Sequence, residues 1–244
     1  SHGIGRAIAL QLADEGCHVA ICARTEPRVS ETAAALKAKG VQSLGLTADA
    51  LIPADIERVM RAMIEAWGTL HILVNNVGGG GRWGSPRVEE TADDVWLDVF
   101  SKNAMAAVRF TRLALPHMRR QRWGRVVTIS SLAGREGGAR AWYTVAKSAE
   151  ISLMKSLAMD AALARDGITF NSIAPGSILI PETGWDRERL KNPDGFRRFT
   201  EQLPLGRLGT PEEVASVVAF VCSQPASLLN GAAIAVDGAE GRSF

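Results

Sequence analysis

Tyrosine is the scarcest side chain here: Tyr143 is the only one in 244 residues, so any phenol chemistry has a single address. Cysteine is nearly as rare. Cys17, Cys22 and Cys222 are odd in number and form no CxxC pair, which excludes a disulfide framework and a thiolate zinc site and points to free thiols in a reducing, cytoplasmic compartment. Charge of one sign is also lacking. Lys and Arg number 28 against 26 for Asp and Glu, a formal net charge of +2, which argues against a dedicated nucleic-acid or membrane surface. No apolar run reaches the ~18 residues that span a bilayer. The four histidines, His2, His18, His71 and His117, have no metal-ligand spacing, so no metal site is expected. Without a linker, a low-complexity tract or a repeat, residues 1–244 read as one domain.

What is present is alternation. Ser1 to Gly16 runs from a glycine-rich loop into a helix, with Ile4, Ile8 and Leu12 four apart. Strands are expected at His18–Ala23, Val41–Thr47, Ile72–Val74, Arg125–Ile129, Ile168–Ile173 and Ala233–Val236. Helices are expected at Pro27–Lys39, Pro53–Trp67, within Thr91–Arg120 as one or two pieces, over the whole of Ala141–Arg165, and at Pro211–Cys222. Strand and helix in alternation predict an α/β fold: a doubly wound parallel sheet with helices on both faces, three layers deep. Residues 177–203 break the pattern, with Trp185, Phe196 and Phe199 among arginines, after a strand's carboxyl end where open α/β sheets keep their ligands.

The opening Ser1-His2-Gly3-Ile4-Gly5 suits a pyrophosphate, because glycines let the backbone approach it and a helix N-terminus attracts it. A dinucleotide motif also needs a strand and an earlier glycine in front, and this sequence opens inside the motif. Arg24 follows the next strand where an NAD site would carry an acidic residue, so NADP is favoured over NAD. Asp49 and Asn75-Asn76-Val77-Gly78 end the following two strands, and Asp49 is placed to meet an adenine amino group.

The chemistry centres on Tyr143 and Lys147, four apart and therefore on one helix face. An ammonium near a phenol favours the phenolate, the tuning a general acid/base needs at neutral pH. Ser130-Ser131 closes the strand upstream. Arg119, Arg120, Arg122 and Arg125 gather at a helix end, where cations complement the dipole or would dock an acidic partner.

Taken together, HGIG at the start, NNVG at 75–78, Asn103, Ser131, Tyr143-x-x-x-Lys147 and Pro175-Gly176 resemble the short-chain dehydrogenase/reductase family over the whole chain. The resemblance implies a single Rossmann-like domain with a seven-stranded parallel sheet and a homo-oligomer, tetramer or dimer. It implies hydride transfer between NAD(P) and a carbonyl or secondary alcohol. Tyr143 would be the acid/base, Lys147 its partner and a ribose ligand, Ser131 the residue orienting the substrate oxygen, and Asn103 the holder of a relay water. Ser1, His2, Gly3, Ile4, Gly5, Arg24, Asp49, Asn75, Gly78, Pro175, Gly176 and Ile178 would meet the cofactor, with Tyr143 and Lys147. The spacing usual in the family fits Ser130, whereas the ISSxxG alignment favours Ser131. Two further readings stand: a 3-oxoacyl-(acyl-carrier-protein) reductase, whose relatives use arginines near the basic cluster, and a non-catalytic nucleotide-binding or assembly protein, given the truncated glycine motif.

Overall fold

The computed structural model describes residues 1–80 and 83–243. Helix α1 (Gly3–Asp14) leads into β1 (Val19–Ala23), α2 (Glu26–Ala38), β2 (Ser43–Thr47), α3 (Pro53–Trp67) and β3 (Ile72–Asn75). A short 3₁₀ turn precedes α4 (Asp93–Phe100), a π-turn over Ser101–Met105, and α5 (Ala106–Gln121). Then come β4 (Gly124–Ile129), α6 (Leu132–Glu136), α7 (Ala141–Ala158), α8 (Ala161–Arg165) and β5 (Ile168–Pro175). The chain closes with α9 (Gly184–Lys191), α10 (Pro193–Gln202), α11 (Pro211–Cys222) and β6 (Ala233–Val236).

All strand pairs are parallel, and side chains alternate between two cores, as a period of two requires. Val127, Ile129 and Ile173 face α1, α2 and α11; Val126, Ile168 and Phe170 face α3, α5 and α7. Helices cover both faces, giving the three-layer α/β/α arrangement that the alternation predicts.

The sheet departs from the seven-stranded one implied by the resemblance. Six strands form two sheets, β1-β2 and β3-β4-β5-β6. Among the described residues nothing pairs with the second edge of β1 or of β3, and both strands instead line a cavity of about 680 Å³ with Ile8, Leu12, Met60, Met63 and Phe110. The carboxyl ends of β3, β4 and β5 nevertheless lie side by side, which sets Asn75, Ser130, Ser131 and Pro175 along one edge.

Two departures from the expected helices stand out. The helix expected over Ala141–Arg165 breaks after Ala158, because the Asp160 carboxylate accepts from the N–H groups of Ala162 and Leu163, at 2.8 and 3.3 Å, and starts a new helix. Residues 177–203 hold two helices, α9 and α10, with Trp185 stacked on Phe199 at 4.4 Å between ring centroids.

Candidate active site

Strand β4 ends at Ile129 and hands the chain to Ser130 and Ser131, whose side chains take different jobs. Ser130 is buried and its Oγ donates to the Lys147 carbonyl at 2.8 Å, a tie between strand and helix. Ser131 is half-buried, and its Oγ caps α6 by accepting from the Ala133 N–H at 3.2 Å, which leaves its own proton to give. Gly134 lets α6 lie on α7: a Cβ there would sit 2.8 Å from both the Lys147 carbonyl and Ser130 Oγ.

Tyr143 stands in the first turn of α7, half-buried, packed with Val99, Trp142 and Ala146. Lys147 is one turn on, only 3% exposed, with its Nζ 5.9 Å from the Tyr143 ring centroid. That ammonium donates to the Ile129 carbonyl at 2.9 Å and to Glu150 Oε2 and Oε1 at 2.9 and 3.2 Å. Glu150 is 1% exposed, and burial pushes its carboxyl up to about 7 against the partly offsetting pull of Lys147.

The loop after β3 completes the wall. Asn103, wholly buried in the π-turn, donates from Nδ2 to the Gly79 and Val99 carbonyls (2.9 and 2.7 Å) and accepts from the Gly79 N–H (3.1 Å). Both of its amide protons are therefore taken by backbone. A water held by this side chain, as the resemblance implied, has only the remaining Oδ1 lone pair to bind. Gly78 is squeezed against the same group: a Cβ would lie 2.7 Å from Asn103 Oδ1 and 2.9 Å from Lys147 Nζ. Asn75 turns away, donating to Thr111 and Thr128 hydroxyls at 3.2 and 3.3 Å inside the molecule, while its Oδ1 is buried with no partner among the described residues. It therefore fastens β3 to β4 and α5 before it does anything for a nucleotide.

The N-terminus of α1 lies under the loop that follows β5. Gly3 has φ +52° and a Cβ there would meet Ile180 at 2.9 Å; the His2 ring pairs with the Pro181 carbonyl at 2.9 Å; Arg28 reaches Glu182 at 2.6 Å. Ser1 and His2 lead into the helix, Ile4 packs on the first core, and Gly5 gives room to Asn76, which a Cβ would strike at 2.5 Å. Pro175 ends β5 in the interior. Gly176 lies against Asp237 and Glu240, and the Glu240 carboxylate holds the N–H and hydroxyl of Ser177. Ile178 is buried in a parallel bridge to Gly209.

Arg24 is exposed just past β1, and Asp49 makes a turn by accepting from the Leu51 N–H at 3.0 Å. Lys102 was not singled out by sequence reasoning, yet it belongs here. Burial, and then repulsion from Arg24, lower its pKa, with Asp49 opposing, so two cations and a carboxylate share one field. Its position beside Asn103 was the available signal. The neighbouring cations Arg24 and Lys102, beyond the N-terminus of α1 and the β3 loop, suit a dinucleotide bearing an extra phosphate.

The basic cluster does not present four free cations. Arg119 and Arg122 both pair with Asp166 (2.8 and 3.3 Å), Arg120 meets His117, and Arg125 is buried on the Gly124 carbonyl and against Trp123. Arg119, Arg120 and Arg122 stay exposed at the helix end, and only Arg125 is withdrawn into the interior. The cysteines are free, and burial drives the Cys222 thiol up to about 12.

Residues 1–239 match the family model described as enoyl-(acyl carrier protein) reductase. The chain is 34% identical to a putative ketoacyl reductase of Streptomyces coelicolor, covering 98% of this chain and 93% of that protein. It is 35% identical to the 3-oxoacyl-(acyl-carrier-protein) reductase FabG of Staphylococcus aureus strain Mu50, with coverages of 98% and 94%. Among solved structures, a variant of actinorhodin polyketide ketoreductase with NADPH superposes with a TM-score of 0.90 at 34% identity, over 99% of this chain and 94% of that one. Levodione reductase does so with a TM-score of 0.90 at 28% identity, over 100% and 95%. With this fold, a Tyr143/Lys147 face beside Ser131, and relatives matched from end to end, the chain belongs to the short-chain dehydrogenase/reductase family of oxidoreductases.

Proposed function

We propose that this protein is an NADP(H)-dependent oxidoreductase that moves hydride between the nicotinamide and a carbonyl or secondary alcohol, with Tyr143 as general acid/base. The carrying observation is the convergence of Ser131, Tyr143 and Lys147 at the carboxyl end of β4, with Lys147 buried and tied to the Ile129 carbonyl. Bound against α1 and the β3 loop, the dinucleotide supplies or takes the hydride. The chain's residues do the rest. Ser131 donates to the substrate oxygen and stabilises charge developing there. Tyr143 delivers its proton to that oxygen in reduction and removes it in oxidation. Lys147 fixes the phenol's electrostatic surroundings from behind. Ser131 is preferred over Ser130 because the Ser130 hydroxyl is spent on the Lys147 carbonyl.

Arg24 and Lys102 favour NADPH over NADH, and the relative solved with NADPH supports that choice. Helices α9 and α10, within about 177–203, cover the substrate, and their stacked Trp185 and Phe199 give that cover a rigid apolar element. Exposed Leu97 and Phe100 on α4 and Val145 on the adjoining α7 favour a homo-oligomer, dimer or tetramer, built on these helices. A cytoplasmic location fits the free thiols.

The more specific reading, reduction of a 3-oxoacyl thioester, rests on similarity to the ketoacyl reductases. NADPH oxidation is to be followed with a panel of activated ketones, sugars, steroids and 3-oxoacyl thioesters. Turnover of at least one carbonyl is expected, and Tyr143→Phe should cut it by about 10²- to 10⁴-fold while leaving NADPH fluorescence binding intact. Binding without turnover on any substrate would favour the non-catalytic reading; failure to bind NADPH or NADH would end the enzyme reading for this chain.

A further inference from the structure

Glu150 has no role in the site just described, yet it is the group most intimately placed against it. It lies three residues beyond Lys147 on α7, is 1% exposed, and accepts from the ammonium with both oxygens. A lysine ammonium has three protons. The Ile129 carbonyl and Glu150 lie within reach of all of them, so the side chain is drawn toward strand β4 and its charge is matched at contact distance.

No other charge competes for that contact among the described residues. Strand β5 carries none, and Arg125 of β4 sits at the strand's other end, on the Gly124 and Gly167 carbonyls. Arg135 of α6 donates to the Ala233 carbonyl, and Glu136 on the same helix accepts from the N–H groups of Arg242 and Ser243. Lys102 of the π-turn lies over the Trp83 ring. Asp93, Asp94 and Asp98 of α4, Lys155 further along α7, and Asp160 and Arg165 at α8 are exposed. Tyr143 is the remaining titratable neighbour of Lys147, at 5.9 Å from Nζ to its ring centroid.

Resting on the reading of Tyr143 and Lys147 as the acid/base pair, we propose that Glu150 is a positioning residue and counter-charge. It holds the Lys147 ammonium against β4 and cancels part of its field at Tyr143, so that the protonation of Glu150 switches the phenol's electrostatic surroundings. The direction is fixed by charge. A protonated Glu150 leaves Lys147 an uncompensated cation, which favours phenolate; an ionised Glu150 makes the pair neutral and favours phenol. Because the Glu150 carboxyl lies at about 7, the switch falls in the working range of pH.

The test uses Glu150→Gln, which keeps shape and acceptor but removes the charge. With Tyr143 the only tyrosine, its ionisation is read by ultraviolet difference absorbance in the cofactor-free chain. The midpoint is expected to fall in Glu150→Gln by about one pH unit relative to the native chain, and the acid limb of alcohol oxidation to move to lower pH with it. Glu150→Asp, which retains charge, should restore most of the native profile. A midpoint and pH profile unchanged in Glu150→Gln would overturn the proposal, as would an equal effect of Gln and Asp, which a merely structural role would give. Should Glu150→Gln not fold, the native chain labelled with 13C at tyrosine Cζ decides: a minor step near neutral pH ahead of the main phenol step supports the switch, and a single step defeats it. The underlying reading fails separately, if Tyr143→Phe leaves turnover intact.

Discussion

Lys147 and Glu150 show how a single buried contact ties chemistry to stability. The Glu150 carboxyl is raised from its ordinary 4.5 to about 7 by burial, so the folded chain keeps a proton that the unfolded chain has released across that interval. Folding is therefore favoured by this group below pH 4.5 and progressively less so as pH rises toward 7, a loss on the order of 3 kcal/mol at most. Denaturant midpoints measured at pH 5 and 7.5 should show that decline in the native chain and a flatter line in Glu150→Gln. Glu213 acts with the opposite sign. Arg207, then the Thr210 N–H, hold it down to about 2, so its contribution is present above pH 4.5 and is lost as pH falls; being exposed, it is heavily screened. The i,i+3 spacing of Lys147 and Glu150 was readable in the sequence, but such pairs are usually solvated. Only burial turns this one into a coupled site.

At the scale of elements, close approach is what aligns the site. Helix α6 carries Ser131 at its N-terminus and lies on α7 through Gly134, with no room for a methyl group against the Lys147 carbonyl. Gly134→Ala should cost about 1–3 kcal/mol in unfolding free energy, and lower kcat more than it changes NADPH affinity, because Ser131 and Tyr143 move apart. Helix α11 offers a comparison at a helix cap. Its capping box of Thr210 and Glu213 is complete, and Thr210→Ala should cost about 1 kcal/mol in unfolding free energy. Most elements were legible because hydrophobic period and glycine or proline punctuation are local; α3 matches its expected range at both ends. The break at Asp160 was missed. The alanine-rich run around it argues for a continuous helix, and only the carboxylate's capture of two backbone N–H groups stops it.

At the scale of the whole molecule, the strands among the described residues pair in two groups. Strands β1 and β3 border a cavity of about 680 Å³ with apolar walls, to which α1 contributes Ile8 and Leu12. A ligand that binds only the folded chain stabilises it, so NADPH should raise the melting temperature, and more than NADH at equal concentration; equal shifts would count against Arg24 and Lys102 as phosphate partners. Assembly is tested at the same scale. Leu97 is 66% exposed on α4, and Leu97→Arg should shift sedimentation toward smaller species without unfolding the subunit.

The sequence by itself determined the order of the strands and of the longer helices, the α/β class, and the Tyr143/Lys147 face, because each follows from spacing along a few turns of chain. It also carried the family resemblance, through motifs that keep their order over the whole length. Tertiary structure alone decided which polar groups are already spent. The Asn75 amide nitrogen is spent on two threonines, Asn103 on the Gly79 loop, Ser130 on the Lys147 carbonyl, and most of the basic cluster on Asp166 and the interior. Tertiary structure also decided that Lys147 meets a buried carboxylate. Strand pairing and burial depend on partners distant in sequence, which no local period encodes.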